Sequence, residues 1–552
     1  MNEASLKSPF NKSRLLFYFI VLIAICLRIK HEIYFPVVES DYGVLIEAAK
    51  NFLYGKGFTN SSVSLSDLGS VGYNNLTMWP VGYSILLVPV YLICENWFIA
   101  CIFWQSLGAL FLIYSMYKIL KLFGVEKKML AVFLLFMAFT PTPFYYLGTT
   151  DILTADIFLW CTYIILKCSV KNIFKWKHFL LVGVLSAFNC TLRFASIPNL
   201  VIFPLFFLLI GFLRKEKRLY GGAFFTLTLS LLLVLLFFSF FKINSARTNF
   251  MQNIYHFDFY FNHMKWFDSF PVKSFFYARP LEFRIPAGHP GLIMLYRIGM
   301  HVVSVFFLFL LAYQFIFKER INNYFRSAIP GKRIISYYFL ILLIAFIIVV
   351  GFISLQSLTV PPEGNSFGPA WMPHLWTHVY SSRYFILLMI LLQLAFFLML
   401  SKLSFLSEKI VGVISYSFFT VSFLYAIGFW LLTNYQMYAP GGNGGGSYWR
   451  NYADHIDYFN EINQISNKEN KKVVFASYDL GKNYPAVVYS QGFVCRDYQG
   501  LIKSQLNHTS PLCLLIEMPY ASSEDEKVFL KKYSPALLLK FKESLLYRID
   551  LK

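Results

Sequence analysis

The residues best suited to chemistry stand at a few points along the chain. Glu39-Ser40-Asp41-Tyr42-Gly43 precedes an amphipathic run, Val44 to Tyr54, which closes on Gly55-Lys56-Gly57. Val44, Leu45, Ala48, Ala49, Phe52 and Leu53 recur at three- and four-residue spacing. That period predicts a helix lying on a membrane surface with Asp41 at its start. A carboxylate so placed can meet a lipid-borne substrate, or it can simply cap the helix, a position aspartate favours. Other ionisable groups border long apolar runs: Asp151 after Thr149-Thr150, Arg193 after Thr191-Leu192, and Arg383-Tyr384 after Ser382. The stretch Tyr277 to Arg284 adds Arg279 and Arg284, and His374 and His378 flank Trp376 as cavity lining or as bystanders.

Such residues need a bilayer to position them. Of 552 residues, 57% are hydrophobic, 20% aromatic and only 14% charged, and the mean hydropathy is +0.54. A soluble domain carries roughly a quarter charged residues, so these values exclude a disordered chain and describe a polytopic membrane protein. The net charge of +20 would suggest nucleic acid as partner of a soluble protein. Here the lysines and arginines are expected to sort to one side of a membrane, with no nucleic-acid partner. Cys26, Cys94, Cys101, Cys161, Cys168 and Cys190 lie in or beside apolar runs, and no Cys-x-x-Cys or Cys/His spacing suggests zinc or iron–sulfur.

A membrane helix needs about 20 apolar residues. Runs of that kind occur at approximately 15–34, 97–117, 129–147, 152–168, 179–195, 197–213, 220–241, 298–317, 336–357, 383–401 and 410–432, predicting an all-α bundle of about eleven helices. Residues 80–94 are shorter and contain Pro80 and Pro89, which suits a re-entrant or interfacial helix. With that run not spanning, the basic clusters at the N-terminus, Lys118/Lys121/Lys127/Lys128, Lys167/Lys171/Lys175/Lys177, Arg214/Lys215/Lys217/Arg218, Lys318 to Arg333 and Lys402/Lys409 all fall inside. The segment 1–433 is then a transmembrane domain with outward loops at about 35–96, 242–297 and 358–382. The first helix is expected to remain as a signal anchor, with a cytoplasmic N-terminus.

Residues 434–552 open on Pro440-Gly441-Gly442-Asn443-Gly444-Gly445-Gly446, a flexible linker by composition. Beyond it, short apolar runs at Val473 to Ala476 and Leu512 to Ile516, and a polar-started helix pattern from Ser522 to Lys532, predict a small extracytoplasmic α/β domain. Cys495 and Cys513 lie in it, as a disulfide or as two buried thiols. Asn60, Asn75 and Asn507 begin Asn-x-Ser/Thr sequons.

The order of these motifs over residues 10 to 435 resembles the GT-C superfamily of membrane glycosyltransferases. The sequence carries Arg28 at the end of a first helix, the Glu39/Asp41 pair, a surface helix ending Gly55-Lys56-Gly57, and Trp79-Pro80-x-Gly82-Tyr83 entering a short apolar run. Thr149-Thr150-Asp151, Thr191-Leu192-Arg193 and Ser382-Arg383-Tyr384-Phe385 then follow. The nearest branch is that of protein O-mannosyltransferases and lipid A aminoarabinose transferases, glycosyltransferase families 39 and 83. One departure stands out: where those branches commonly have His-x-Pro-Pro, this chain has Met78-Trp79-Pro80-Val81.

The resemblance implies transfer of a sugar, with inversion, from a polyprenyl-phosphate donor to a lipid, glycan or protein acceptor on the outward face. Asp41 corresponds to the first-loop acid and is the candidate base. Arg383 and then Arg193 are candidates for the departing phosphate, which guanidinium can hold in bidentate fashion, although arginine at a helix end can also snorkel to headgroups. Tyr384 joins them or belongs to an aromatic belt. Asp151 orients acceptor or cation, or is a polar helix start, and Arg279 and Arg284 are reserves for phosphate or acceptor. The Glu39-x-Asp41 spacing would admit a divalent cation as cofactor. The compartment is a bacterial plasma membrane facing the periplasm, or an endoplasmic reticulum membrane facing the lumen. The alternatives are a flippase or transporter of a lipid-linked saccharide, and a polysaccharide polymerase or ligase.

Overall fold

The computed structural model describes residues 40–76, 80–139, 150–171, 173–241, 330–358, 386–402, 463–465, 472–478, 492–495, 497–540 and 544–551, with single helical residues at 19, 22, 26 and 413. The described elements fall into two compact units.

The first unit is helical. It contains most of α3 (Trp97–Leu122), α4 (Lys127–Phe139), α5 (Asp151–Lys171), α6 (Trp176–Leu192), α7 (Asn199–Arg214), most of α8 (Lys217–Phe240), α9 (Pro330–Leu358) and α10 (Ile386–Lys402). Helix α5 packs on α6, α9 and α10, while α7 packs on α6 and α9. Their shared core includes Met116, Phe158, Phe203, Phe207, Tyr338 and Phe397. Helices α6 and α8 approach closely because Gly222 leaves room for the Phe179 ring, the small-residue contact on which membrane helices rely. Elsewhere α8 exposes Phe224, Leu232, Leu235, Leu236 and Phe240. Exposed apolar side chains along one long helix are costly in water and stable in lipid. Among the described residues three helices, Ile99–Leu122, Asp151–Val170 and Lys217–Phe240, are long and apolar enough to cross a membrane. The described part of the expected span at 129–147 is the 13-residue helix Lys127–Phe139, and the spans at 15–34, 298–317 and 410–432 lie outside the described residues apart from single positions.

The second unit joins α1 (Ser40–Leu53), β1 (Thr59–Ser64), β2 (Asp67–Asn75), α2 (Gly82–Cys94) and the first turns of α3 with the described C-terminal elements. Helix α2 has 13 residues with Pro89 inside it, about 20 Å at 1.5 Å per residue and too short to cross the hydrocarbon core. The helix expected at Val44 to Tyr54 forms, with Phe52 and Tyr54 exposed at its end. Val44 through Ala49, Glu47 included, are all buried. Its polar side is covered by β1, which holds Glu47 and Asn51, while α2 reaches it elsewhere through Ser84 Oγ, which donates to the Leu45 carbonyl at 2.7 Å.

The C-terminal elements form a five-stranded sheet in the order β4 (Phe493–Val494), β3 (Lys472–Ser477), β5 (Leu512–Pro519), β7 (Ser544–Leu551) and β6 (Ala536–Lys540). Pairing from β4 through β5 is parallel, and from β5 through β6 antiparallel. Helices α11 (Tyr498–Lys503) and α12 (Glu524–Tyr533) accompany it. Helix α12 begins where Ser523 and Glu526 bond each other's backbone N–H, the capping box that its sequence encodes. The sheet corrects the disulfide option. Cys495 packs in the apolar cluster on one face and Cys513 in the cluster on the other, and β3 separates β4 from β5. Two strand spacings are about 10 Å, beyond the Cα separation a disulfide spans. Both thiols are free and buried, and burial pushes that of Cys495 up to about 11.

Candidate active site

In the helical unit, α5 and α6 are joined by a short connection and run antiparallel, so the start of α5 and the end of α6 share one end of the bundle. Asp151 is the first residue of α5 and is buried. Its charge is favoured there by the helix macrodipole. Thr154 holds the same turn by donating from Oγ1 to the Asp151 carbonyl at 2.8 Å. At the end of α6 the backbone leaves helical geometry at Arg193, with φ −160° and ψ 132°, and a single 3-10 turn, Phe194–Ser196, leads to Pro198 and α7. The helix break expected at Thr191-Leu192-Arg193 falls at this arginine. Its guanidinium forms an ion pair with the Asp151 carboxylate, and the two side chains are 12% and 2% exposed. Two residues singled out from separate stretches of sequence thus meet in one largely buried pair.

Further polar groups surround the same helix ends. Asn189 Nδ2 donates to the Thr154 carbonyl at 3.0 Å and ties α6 to α5. Cys190 Sγ reaches the Ser196 carbonyl at 3.4 Å. Little more than one turn deeper in α5, Asp156 is buried and accepts from Ser115 Oγ of α3 at 2.5 Å. Sequence reasoning passed over Asp156. Its signal was an acid inside an apolar run, which in a membrane helix marks a pairing or functional position by default. At the opposite ends of these helices stand Lys171, Lys175, Lys177, Arg214, Lys215, Lys217 and Arg218, so the bundle is strongly basic at one end and carries the Asp151–Arg193 pair at the other.

In the second unit, Asp41 is the second residue of α1. The helix that carries it is fixed by buried polar bonds that periodicity did not reveal. Glu47 Oε1 accepts from the Ser61 backbone N–H at 2.9 Å and also from the Ser61 hydroxyl, while Asn51 Nδ2 donates to the Thr59 carbonyl at 2.7 Å. Burial pushes the amine of Lys50 from its ordinary 10.5 down to about 8, a shift that nearby Glu47 partly offsets. Glu39, Arg279, Arg284, Arg383 and Tyr384, as well as His374 and His378, lie outside the described residues. Among the described residues no three His, Cys, Asp or Glu side chains gather as a metal-ligand set.

No family model matches the chain, and no curated protein matches it. Among solved structures, the chain is similar to the crystal structure of ArnT from Cupriavidus metallidurans bound to undecaprenyl phosphate, with 14% identity, 97% of each chain covered and a TM-score of 0.43. It is also similar to the apo crystal structure of ArnT from the same organism, with 12% identity, the same coverage and the same TM-score.

Proposed function

We propose that the chain is an integral-membrane glycosyltransferase that moves a sugar from a polyprenyl-phosphate donor to a lipid, glycan or protein acceptor on the outer face of the membrane, with inversion. The observation that carries this reading is the buried Asp151–Arg193 pair at the end of an apolar bundle whose opposite end is basic. By the positive-inside rule the basic end is cytoplasmic, which gives the Asp151–Arg193 end to the outer face. The ordered motifs that resemble the GT-C superfamily supply the chemistry.

In that chemistry Asp41 takes the proton from an acceptor hydroxyl or amine as it attacks the anomeric carbon. The new bond forms on the face opposite the phosphate, the bond from the anomeric carbon to the phosphate oxygen breaks, and the lipid phosphate leaves with the electron pair. Arg383 and Arg193, with Tyr384, hold the charge that develops on it. Asp151 keeps Arg193 oriented until the donor arrives, whose phosphate then competes with the carboxylate for the guanidinium. Arg279 and Arg284 serve acceptor or phosphate, and Glu39 with Asp41 would bind a divalent cation where one is required. The enzyme belongs to a bacterial plasma membrane with its C-terminal domain in the periplasm.

Asp156 favours a second reading, transport of a lipid-linked saccharide, because an acid within a membrane helix commonly serves ion coupling. One experiment separates the two. Membranes containing the protein are supplied with a panel of radiolabelled polyprenyl-phosphate sugars, and the product is analysed for the anomeric configuration of the new bond. Labelled product of inverted configuration is expected; movement of intact donor across vesicles with no transfer would replace the enzyme by the transporter.

A further inference from the structure

The hairpin β1–β2 meets α1 at one end and the C-terminal domain at the other. Near α1, Thr59 and Ser61 are the residues held by Asn51 and Glu47. At the far end, Leu68 is fully buried within the C-terminal cluster that includes Val474, Leu501, Leu514 and Phe529. Its backbone N–H donates to the Asn507 carbonyl at 2.8 Å. Beside it, Asp67 Oδ1 accepts from the backbone N–H groups of Gly69 and Thr509, both at 2.9 Å, and Asp67 Oδ2 accepts from the Thr509 hydroxyl at 2.7 Å. The Gly69 carbonyl accepts from Lys472 Nζ at the start of β3. Two glycines permit the close fit: a Cβ at Gly500 would stand 2.6 Å from Leu65 Cδ1, and one at Gly69 would stand 2.9 Å from Ser510 Oγ.

A strand rises about 3.3 Å per residue, so the six residues of β1 form a strut about 20 Å long. Ladder pairs from Thr59↔Asn75 to Val63↔Val71 stiffen it. We propose that this hairpin is a strut by which the C-terminal domain fixes helix α1, and that Asp67 is the positioning residue that latches its tip. On the function proposed above, the strut thereby holds Asp41 at its working place. The C-terminal domain then acts through α1 and has no need to touch substrate.

The test uses the full chain in membranes and a chemical latch. In a disulfide, Cβ of one cysteine lies roughly 3 Å from the sulfur of the other, which is the spacing between a Gly69 Cβ and Ser510 Oγ. The variant Gly69→Cys/Ser510→Cys should cross-link on mild oxidation, whereas either single substitution should not. In the Asp67→Ala background the reduced protein should show roughly tenfold faster amide exchange in the second half of α1 and a lower kcat for transfer at nearly unchanged KM. Oxidation should restore both, and reduction should remove them again. Failure to cross-link would overturn the docking of the tip. Asp67→Ala with native α1 exchange would overturn the strut, and altered exchange with native kcat would overturn the positioning role. Should native protein transfer nothing from any donor, the glycosyltransferase reading falls while the exchange measurement still decides the strut.

Discussion

Two aspartates begin elements in the two units and show how differently the same side chain works in each. Asp151 opens a helix of the apolar bundle, is almost wholly buried and is paired with a cation whose side chain is only 12% exposed. Asp67 opens a strand in the other unit, is half-buried at the edge of solvent, and is held by two backbone N–H groups and a hydroxyl. In the bundle a lost partner leaves a charge with no water to receive it; at the hairpin tip water replaces whatever is removed. Charge therefore carries energy in the first region and geometry in the second. There the energy comes from Leu68, the apolar neighbour of Asp67.

The comparison breaks most readily at Asp151. Asp151→Ala strands the Arg193 guanidinium inside the bundle and should cost about 3–5 kcal/mol, read as a large drop in thermal midpoint in detergent. The double variant Asp151→Ala/Arg193→Met should recover much of that loss. An Asp151→Ala protein as stable as the native one would show that the pair is solvated. Next in size is Leu68→Ala, which empties a place in the C-terminal core and should cost about 2–3 kcal/mol. Chemical denaturation followed at the C-terminal domain measures it.

Smaller effects concern pH. The depressed folded value of Lys50 means that between about 8 and 10.5 the unfolded chain binds a proton that the folded chain does not. Stability should therefore rise with pH through that window, and Lys50→Met should flatten the rise. At Asp67 the Thr509 hydroxyl is the main cause that holds the carboxyl below its ordinary value of 3.8. Its contribution is present above that value and is lost as pH falls through the lower folded one. Asp67→Ala should therefore lower the neutral midpoint slightly and flatten the acid-side dependence, so that the two proteins converge toward pH 2, as thermal scans from pH 2 to 7 would show (roughly the window of a depressed carboxylate).

The bundle and the C-terminal domain were legible in sequence for different reasons. Long apolar runs announced α3, α5 and α8, and a short run with Pro89 announced an α2 that cannot span. The Val473 and Leu512 runs and the polar-started pattern from Ser522 marked β3, β5 and α12, because buried strands and polar helix starts are local signals. Asp151 and Arg193 were legible as candidates, since polar residues at the ends of apolar runs are conspicuous. Their pairing was not, because it needs the antiparallel turn between α5 and α6. The hairpin was hidden more deeply. Thr59 to Asn75 is rich in Ser, Gly and Asn, and the partners of its tip lie more than 400 residues away. For the same reason the cover on the polar side of α1 was not legible: its apolar period was plain, but nothing local said that β1 would cover Glu47 and Asn51.

The central claim is that Asp41 serves as base in sugar transfer, and it is tested most directly by comparing native protein with Asp41→Asn. Both are assayed at matched expression in the same membranes, on the donor that the native protein uses. Asparagine keeps the size of the side chain in the first turn of α1 but cannot take a proton at neutral pH. The account predicts that kcat falls by about 10²–10⁴-fold, the usual worth of a positioned base, with thermal stability retained. Full activity in Asp41→Asn would contradict it and leave Asp41 as a structural residue of the first turn of α1.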